Sequence, residues 1–156
     1  MIKYGFGDDM NIYFSCSITG GRQDQRIYEK IVEYLQNTGH DVPTAHLASK
    51  DIMLDESSMD AVDVFNRDLD WVRECDALIA EVSTPSHGVG YEIAAAIFQG
   101  KKVMCCYHKG KKISKIISGN TYENLMIFAY TDEEDLISEI AKFFKKEFLT
   151  RKKSTK

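Results

Sequence analysis

Three stretches of the chain set reactive side chains beside glycines or at the border of an apolar stripe. The first is Ser83-Thr84-Pro85-Ser86-His87-Gly88-Val89-Gly90-Tyr91-Glu92. Gly88 and Gly90 let the backbone approach a ligand closely, and Ser86 adds a hydroxyl. Glu92 then reads as a residue of a first helical turn, where the positive end of the helix dipole favours a carboxylate. A carboxylate held there can act as a nucleophile in glycosyl chemistry, or can simply occupy its preferred electrostatic position. The second stretch is Ser17-Ile18-Thr19-Gly20-Gly21-Arg22, two hydroxyls and two glycines ahead of a helix. Its exposed N–H groups would favour an anion such as phosphate, although any strand-to-helix turn could carry such residues. It is neither GxGxxG nor GxxxxGK[ST], and neither pattern occurs elsewhere. The third is Asn66-Arg67-Asp68-Leu69-Asp70-Trp71, in which Asp68 borders a stripe containing Phe65 and Val72. A carboxylate on such a face is costly unless paired, with Arg22 or Arg67 as partner, or functional. Asp70 reads as solvated. Tyr13 alternates with Phe14 and is either core or a phenol able to orient a carboxylate.

The elements that must position these groups alternate clearly. Residues 11–16 (NIYFSC) read as a strand, and 23–38 as a helix with Ile27, Ile31 and Leu35 on one face and Gly39 to end it. Residues 41–46 read as a second strand, short or near an edge because Pro43 removes a ladder donor. Residues 50–60 read as a loop. A second helix covers 59–75 with the stripe Val62, Phe65, Leu69 and Val72, and 76–82 (DALIAEV) is a nearly all-apolar strand suited to a central parallel position. A helix over 90–99, a strand over 102–107, a short helix over 114–118, a strand over 125–130 and a helix over 133–148 complete the pattern. This order predicts a doubly wound, five-stranded parallel sheet in a three-layer α/β/α domain of Rossmann or flavodoxin-like type. Such sheets bind ligands beyond the carboxyl ends of their strands, so function should sit just after Cys16, Val82 and Tyr107. Residues 1–10 read as an extension, 11–149 as one domain, and 150–156 as a basic, disordered tail. No internal repeat is evident.

Composition excludes several classes. The chain has 156 residues, 44% hydrophobic and 28% charged, with a formal net charge of −4. That suits one folded domain rather than a disordered chain. The charge gives no global attraction to nucleic-acid phosphates, so no nucleic-acid partner is expected. No apolar run has the roughly 18–20 residues that span a bilayer, and residues 1–10 lack an apolar signal core, so no membrane partner is expected. Cys16, Cys75, Cys105 and Cys106 show no CxxC or Cys/His metal spacing and read as reduced thiols of a cytoplasmic protein, with the nucleus also open.

Taken in order, Tyr13-Phe14-Ser15-Cys16-Ser17-Ile18-Thr19-Gly20-Gly21-Arg22, Asp68-Leu69-Asp70-Trp71, 76–82 and Pro85-Ser86-His87-Gly88-Val89-Gly90-Tyr91-Glu92 resemble one family. The chain resembles the 2′-deoxynucleoside 5′-monophosphate N-hydrolases, a branch of the nucleoside 2-deoxyribosyltransferase superfamily, over residues 11–148. The resemblance implies that Glu92 attacks C1′ of deoxyribose and carries the sugar as an ester, that Tyr13 bonds this glutamate or the developing charge, and that Asp68 exchanges a proton with the leaving base. It implies a 5′-phosphate held by the turn from Cys16 through Ser17, Ile18, Thr19, Gly20 and Gly21 to Arg22, by Ser86 and Gly88, and by Ser114 of a partner subunit. Lys115 and Ile116 follow that serine, and Tyr28 and His46 match further positions lining the substrate. A homodimer follows from the shared serine, and no metal or other cofactor is implied. Thr19 stands where family members commonly have Arg, a change worth about 1.5–3 kcal/mol of phosphate binding unless Arg22, Lys115 or the helix dipole replaces it. Residues 52–60 match poorly, leaving the base preference open. Transfer of the sugar to a second base, and nucleotide binding without catalysis, are the competing readings. A response-receiver domain fits the fold but would need an acidic cluster where Cys16 and Ser17 stand.

Overall fold

A computed structural model of the protein describes residues 9–18, 24–49 and 51–154. In chain order these form β1 (Ile12–Ser15), α1 (Gln25–Asn37), a 3-10 turn (Ala45–Ala48), α2 (Ile52–Ser57), α3 (Ala61–Glu74), β2 (Ala77–Glu81), α4 (His87–Phe98), β3 (Lys102–His108), α5 (Lys115–Ser118), β4 (Leu125–Tyr130) and α6 (Glu133–Ser154). The strands lie in the order β1-β2-β3-β4, every pair parallel, with Ser15 beside Ala80 and Glu81 beside Cys106.

The expected α/β/α layering is present, with four strands rather than five. The segment assigned to a fifth strand, 41–46, makes a single parallel bridge between Asp41 and Asn11. Ile12 N–H still donates to Asp41 O at 2.8 Å, but Phe14 N–H is taken by the Thr44 hydroxyl at 2.9 Å. Pro43 has no N–H to continue the ladder, and the Thr44 side chain replaces the lost backbone acceptor. The bridge still places this segment on the outer side of β1, so the winding reverses between β1 and β2. That reversal is where doubly wound sheets take ligands.

Strand periodicity divides the core. Ile12, Phe14, Ile79, Met104, Cys106 and Tyr130 face α1 and α6, while Tyr13, Leu78, Ala80, Val103 and Cys105 face α3 and α4. All four cysteines are buried.

Several expected boundaries and one expected buried stripe differ. Residues 52–57, read as loop, form α2. The helix expected from Gly90 starts at His87, because Ser86 caps it by accepting from Val89 N–H. The closing helix continues to Ser154, through most of the stretch read as a disordered tail. In α3, Val72 is buried, but Val62 and Phe65 of the expected core stripe are 64% and 51% exposed. Met10, assigned to the extension, is buried in the core and its carbonyl accepts from Asp41 N–H at 2.9 Å.

Candidate active site

The two-residue period of β1 sends Tyr13 and Ser15 to the same face of the sheet, the one covered by α3 and α4. Both residues are fully buried. Helix α4 starts at the carboxyl end of β2 and brings Glu92 over the end of β1, where Ser15 Oγ donates to Glu92 Oε2. Glu92 as a whole residue retains partial exposure, although its carboxyl is largely buried. The earlier helix start places Glu92 in the second turn rather than the first, beyond the reach of the strongest dipole effect. Contact with β1 and α3 therefore governs it instead.

Burial pushes the Glu92 carboxyl up to about 7. The hydrogen bond from Ser15 and then the nearby Tyr13 phenol pull in the other direction, the negative charge of Asp68 adds to the rise, and Arg67 opposes it. The Tyr13 oxygen is buried short of full hydrogen-bond geometry with any described residue, yet stands close enough to Glu92 to favour its ionised form. Burial first, then the charges of Glu92 and Asp68, holds that phenol protonated. A buried O–H donor kept beside a half-ionised carboxyl is suited to stabilising charge that appears there during a reaction.

Asp68 comes from α3, where its side chain is 15% exposed and bonds Arg67 Nε at 2.8 Å. Arg67 also reaches Glu56 of α2 at 2.9 Å, and its guanidinium carbon lies 4.9 Å from the centre of the Trp71 ring. His46, at the 3-10 turn, joins this group with Nε2 3.8 Å from Glu56 Oε1 and its ring edge-on to Trp71 at 5.6 Å. Burial raises Asp68 above the usual carboxylate range, and the bond to Arg67 opposes that rise. One cation thus links two carboxylates beside the Tyr13–Glu92 pair.

The structure therefore brings Glu92, Tyr13, Asp68 and His46 together. Ser86 caps α4, and Gly88 and Gly90 have ordinary helical backbone angles rather than positive φ. A Cβ at Gly88 would meet only Ser86 Oγ, at 3.9 Å, and one at Gly90 would meet nothing within 4 Å. What these glycines supply is open space over the helix start. Cys16 and Ser17 are buried just after β1 and Ile18 is half-buried, while Thr19, Gly20, Gly21 and Arg22 lie outside the described residues. Tyr28 lies apart from the glutamate, fully buried on the α1 face with its ring 6.1 Å from Phe14. Ser114, Lys115 and Ile116 are exposed at the start of α5. Ser15 and Glu56 were not anticipated as members of the site. A lone polar residue within the strand IYFS was the available signal for Ser15; Glu56 sat in a segment read as loop.

A family model described as nucleoside 2-deoxyribosyltransferase matches residues 12–137. The 5-hydroxymethyl-dUMP N-hydrolase of Esox lucius is 38% identical over 143 residues, covering 87% of this chain and 97% of the relative. The enzyme of the same name from Danio rerio is 37% identical over 139 residues, covering 86% and 96%. Among solved structures, the CMP N-glycosidase BcmB of Clostridium botulinum superimposes with a TM-score of 0.64 at 22% identity, covering 85% of this chain and 98% of that one. At that identity the likeness concerns the fold.

Proposed function

The chain belongs to the nucleoside 2-deoxyribosyltransferase family, and from that membership we propose that it hydrolyses the N-glycosidic bond of 2′-deoxynucleoside 5′-monophosphates, giving free base and 2-deoxyribose 5-phosphate. The observation that carries this reading is the convergence of Glu92, Tyr13 and Asp68, from α4, β1 and α3, around one carboxyl. The names of the Esox and Danio relatives point to the same reaction class.

In the proposed reaction the Glu92 carboxylate bonds C1′ as the C1′–N bond breaks, and the bonding pair leaves with the base, which takes a proton held at Asp68. Water then attacks C1′ of the glycosyl ester, gives its proton back to Asp68 and releases Glu92 as the carboxylate. The transition state is oxocarbenium-like, so a fixed anion beside C1′ stabilises it, and the missing 2′-hydroxyl makes the cation easier to form. The 5′-phosphate is assigned to residues 17–22 and to the start of α4, where the Ser86 hydroxyl and the space over Gly88 would receive it.

A panel of deoxynucleosides and their 5′-monophosphates, with free base measured, tests the reading. Base release from the monophosphates that vanishes in Glu92→Gln is expected; release unchanged by that substitution overturns the assigned nucleophile. The family description favours one second reading, transfer of the sugar to another base. Added free base that yields exchanged nucleotide with little sugar phosphate would establish it.

The homodimer belongs to the same proposal. Val62, Phe65 and Tyr91 are exposed together on α3 and α4, with the Phe65 and Tyr91 rings 6.3 Å apart, and Ile116 beside Ser114 is 82% exposed. A second copy covering this apolar surface would bring a Ser114 toward each site. Sedimentation of wild type against Phe65→Glu tests it: a dimer converted to monomer is expected, and a fully active wild-type monomer overturns it.

A further inference from the structure

We infer that Ser15 is the positioning residue of the nucleophile: by occupying Glu92 Oε2 it fixes the carboxyl plane and reserves Oε1 for attack on the sugar. The inference rests on the proposed glycosidase chemistry for its meaning, and on the structure for its geometry. Ser15 is fully buried in β1, where the strand's other residues are apolar, and its Oγ donates to Glu92 Oε2 across the gap between β1 and α4. A hydroxyl inside an apolar strand is costly unless it is bonded, and its acceptor here is this glutamate. The bond also favours the ionised form, the one that attacks, against burial. The other titratable and charged groups facing Glu92 are Tyr13 from β1 and Asp68 and Arg67 from α3. None of these is the bonded partner of Oε2, so the role falls to Ser15.

The test compares wild type, Ser15→Ala and Ser15→Cys by two readings. The first is the pH profile of kcat and KM for base release. Ser15→Ala is expected to lower kcat about 10–100-fold with KM little changed, and to move the acid limb to higher pH because the proton affinity of Glu92 rises about tenfold. Ser15→Cys, nearly the same size with a weaker donor, is expected to fall between the two. The second reading is titration of the Glu92 carboxyl by 13C NMR without substrate, its signal assigned through Glu92→Gln. An unchanged carboxyl titration in Ser15→Ala, or a loss confined to KM, overturns the inference. If Ser15→Ala does not fold, the same readings on Ser15→Cys decide. The titration answers even if the wild type releases no base, so failure of the glycosidase reading and failure of this one are separable.

Discussion

Two glutamates stand at the carboxyl end of the sheet on opposite faces, and burial raises each to about 7. Glu81, on the face of α1 and α6, is fully buried and surrounded by donors. Ser83 Oγ and Tyr130 OH, the latter at 3.0 Å, donate to its Oε1, and Ser83 N–H donates to Oε2 at 3.3 Å. Ser83 Oγ in turn accepts from His108 N–H at 2.8 Å, so this carboxyl ties β2, β3 and β4 into one network. Glu92, on the other face, has one bonded oxygen and a nearby phenol short of bonding, and the residue is partly exposed. A raised pKa thus does not distinguish structure from chemistry. Unfilled acceptor capacity at the carboxyl does, because only that oxygen can still form a bond.

Exchanging the carboxyls one at a time should separate the two roles. Glu92→Gln keeps an acceptor for Ser15 but removes the nucleophile, so base release should fall by about a thousandfold or more, near 4 kcal/mol in the barrier. Its unfolding free energy should hold or rise, since a buried charge is lost. A variant still turning over within tenfold of wild type would erase the contrast.

Glu81→Ala should do the reverse. It leaves the Ser83 and Tyr130 hydroxyls buried without their acceptor, a cost of about 2–4 kcal/mol read by denaturant unfolding. Activity per folded molecule should be nearly retained.

The same carboxyl gives stability a pH dependence with a definite sign. In an unfolded chain Glu81 ionises near its ordinary 4.5, and in the fold near 7. Below 4.5 it is protonated in both states and costs nothing. Between the two values the unfolded chain releases a proton that the fold retains, so stability falls as pH rises, by about 3 kcal/mol in all, and stays at the lower level above 7. Unfolding curves at pH 5 and pH 8 should show this loss in wild type and a smaller one in Glu81→Gln. Equal losses would mean that Glu81 is ionised in the fold.

Both glutamates show how far the chain could be read in advance. Alternating apolar patterns and the glycine-bearing loops made the parallel strands, the Glu92 loop and the Asp68 helix legible, because backbone periodicity is local. Position 81, in the run ALIAEV, carried the same kind of signal as Ser15: a polar residue in an apolar strand, pointing to an unnamed partner. Beyond the neighbouring Ser83 of Glu81, the partner comes from across the fold, 77 residues away for Ser15 and 49 for Glu81, so local spacing had no means of identifying it. Val62 and Phe65 failed for another reason. Their spacing is that of a buried stripe, but a helix face destined for a second surface has the same period as one facing the core.

Asp68 offers a third carboxyl with which to sharpen the comparison, and the smallest of the effects. It differs from both glutamates in having a cation bonded to it, and that cation is shared with Glu56. The charge of Glu56 raises the proton affinity of Asp68, while Arg67 lowers it. Glu56→Gln removes the like charge and leaves Arg67 to Asp68 alone, so the proton on Asp68 should be lost at lower pH than in wild type. If Asp68 supplies the leaving base with its proton, the alkaline limb of kcat should move to lower pH and the rate near neutrality should drop about two- to fivefold, near 0.5–1 kcal/mol, the scale of a partly exposed ion pair. Ser15→Ala moves the acid limb up; Glu56→Gln should move the opposite limb down. A movement of the acid limb by Glu56→Gln would instead mean that the Arg67 cluster acts on Glu92, and that Asp68 holds no proton the reaction uses.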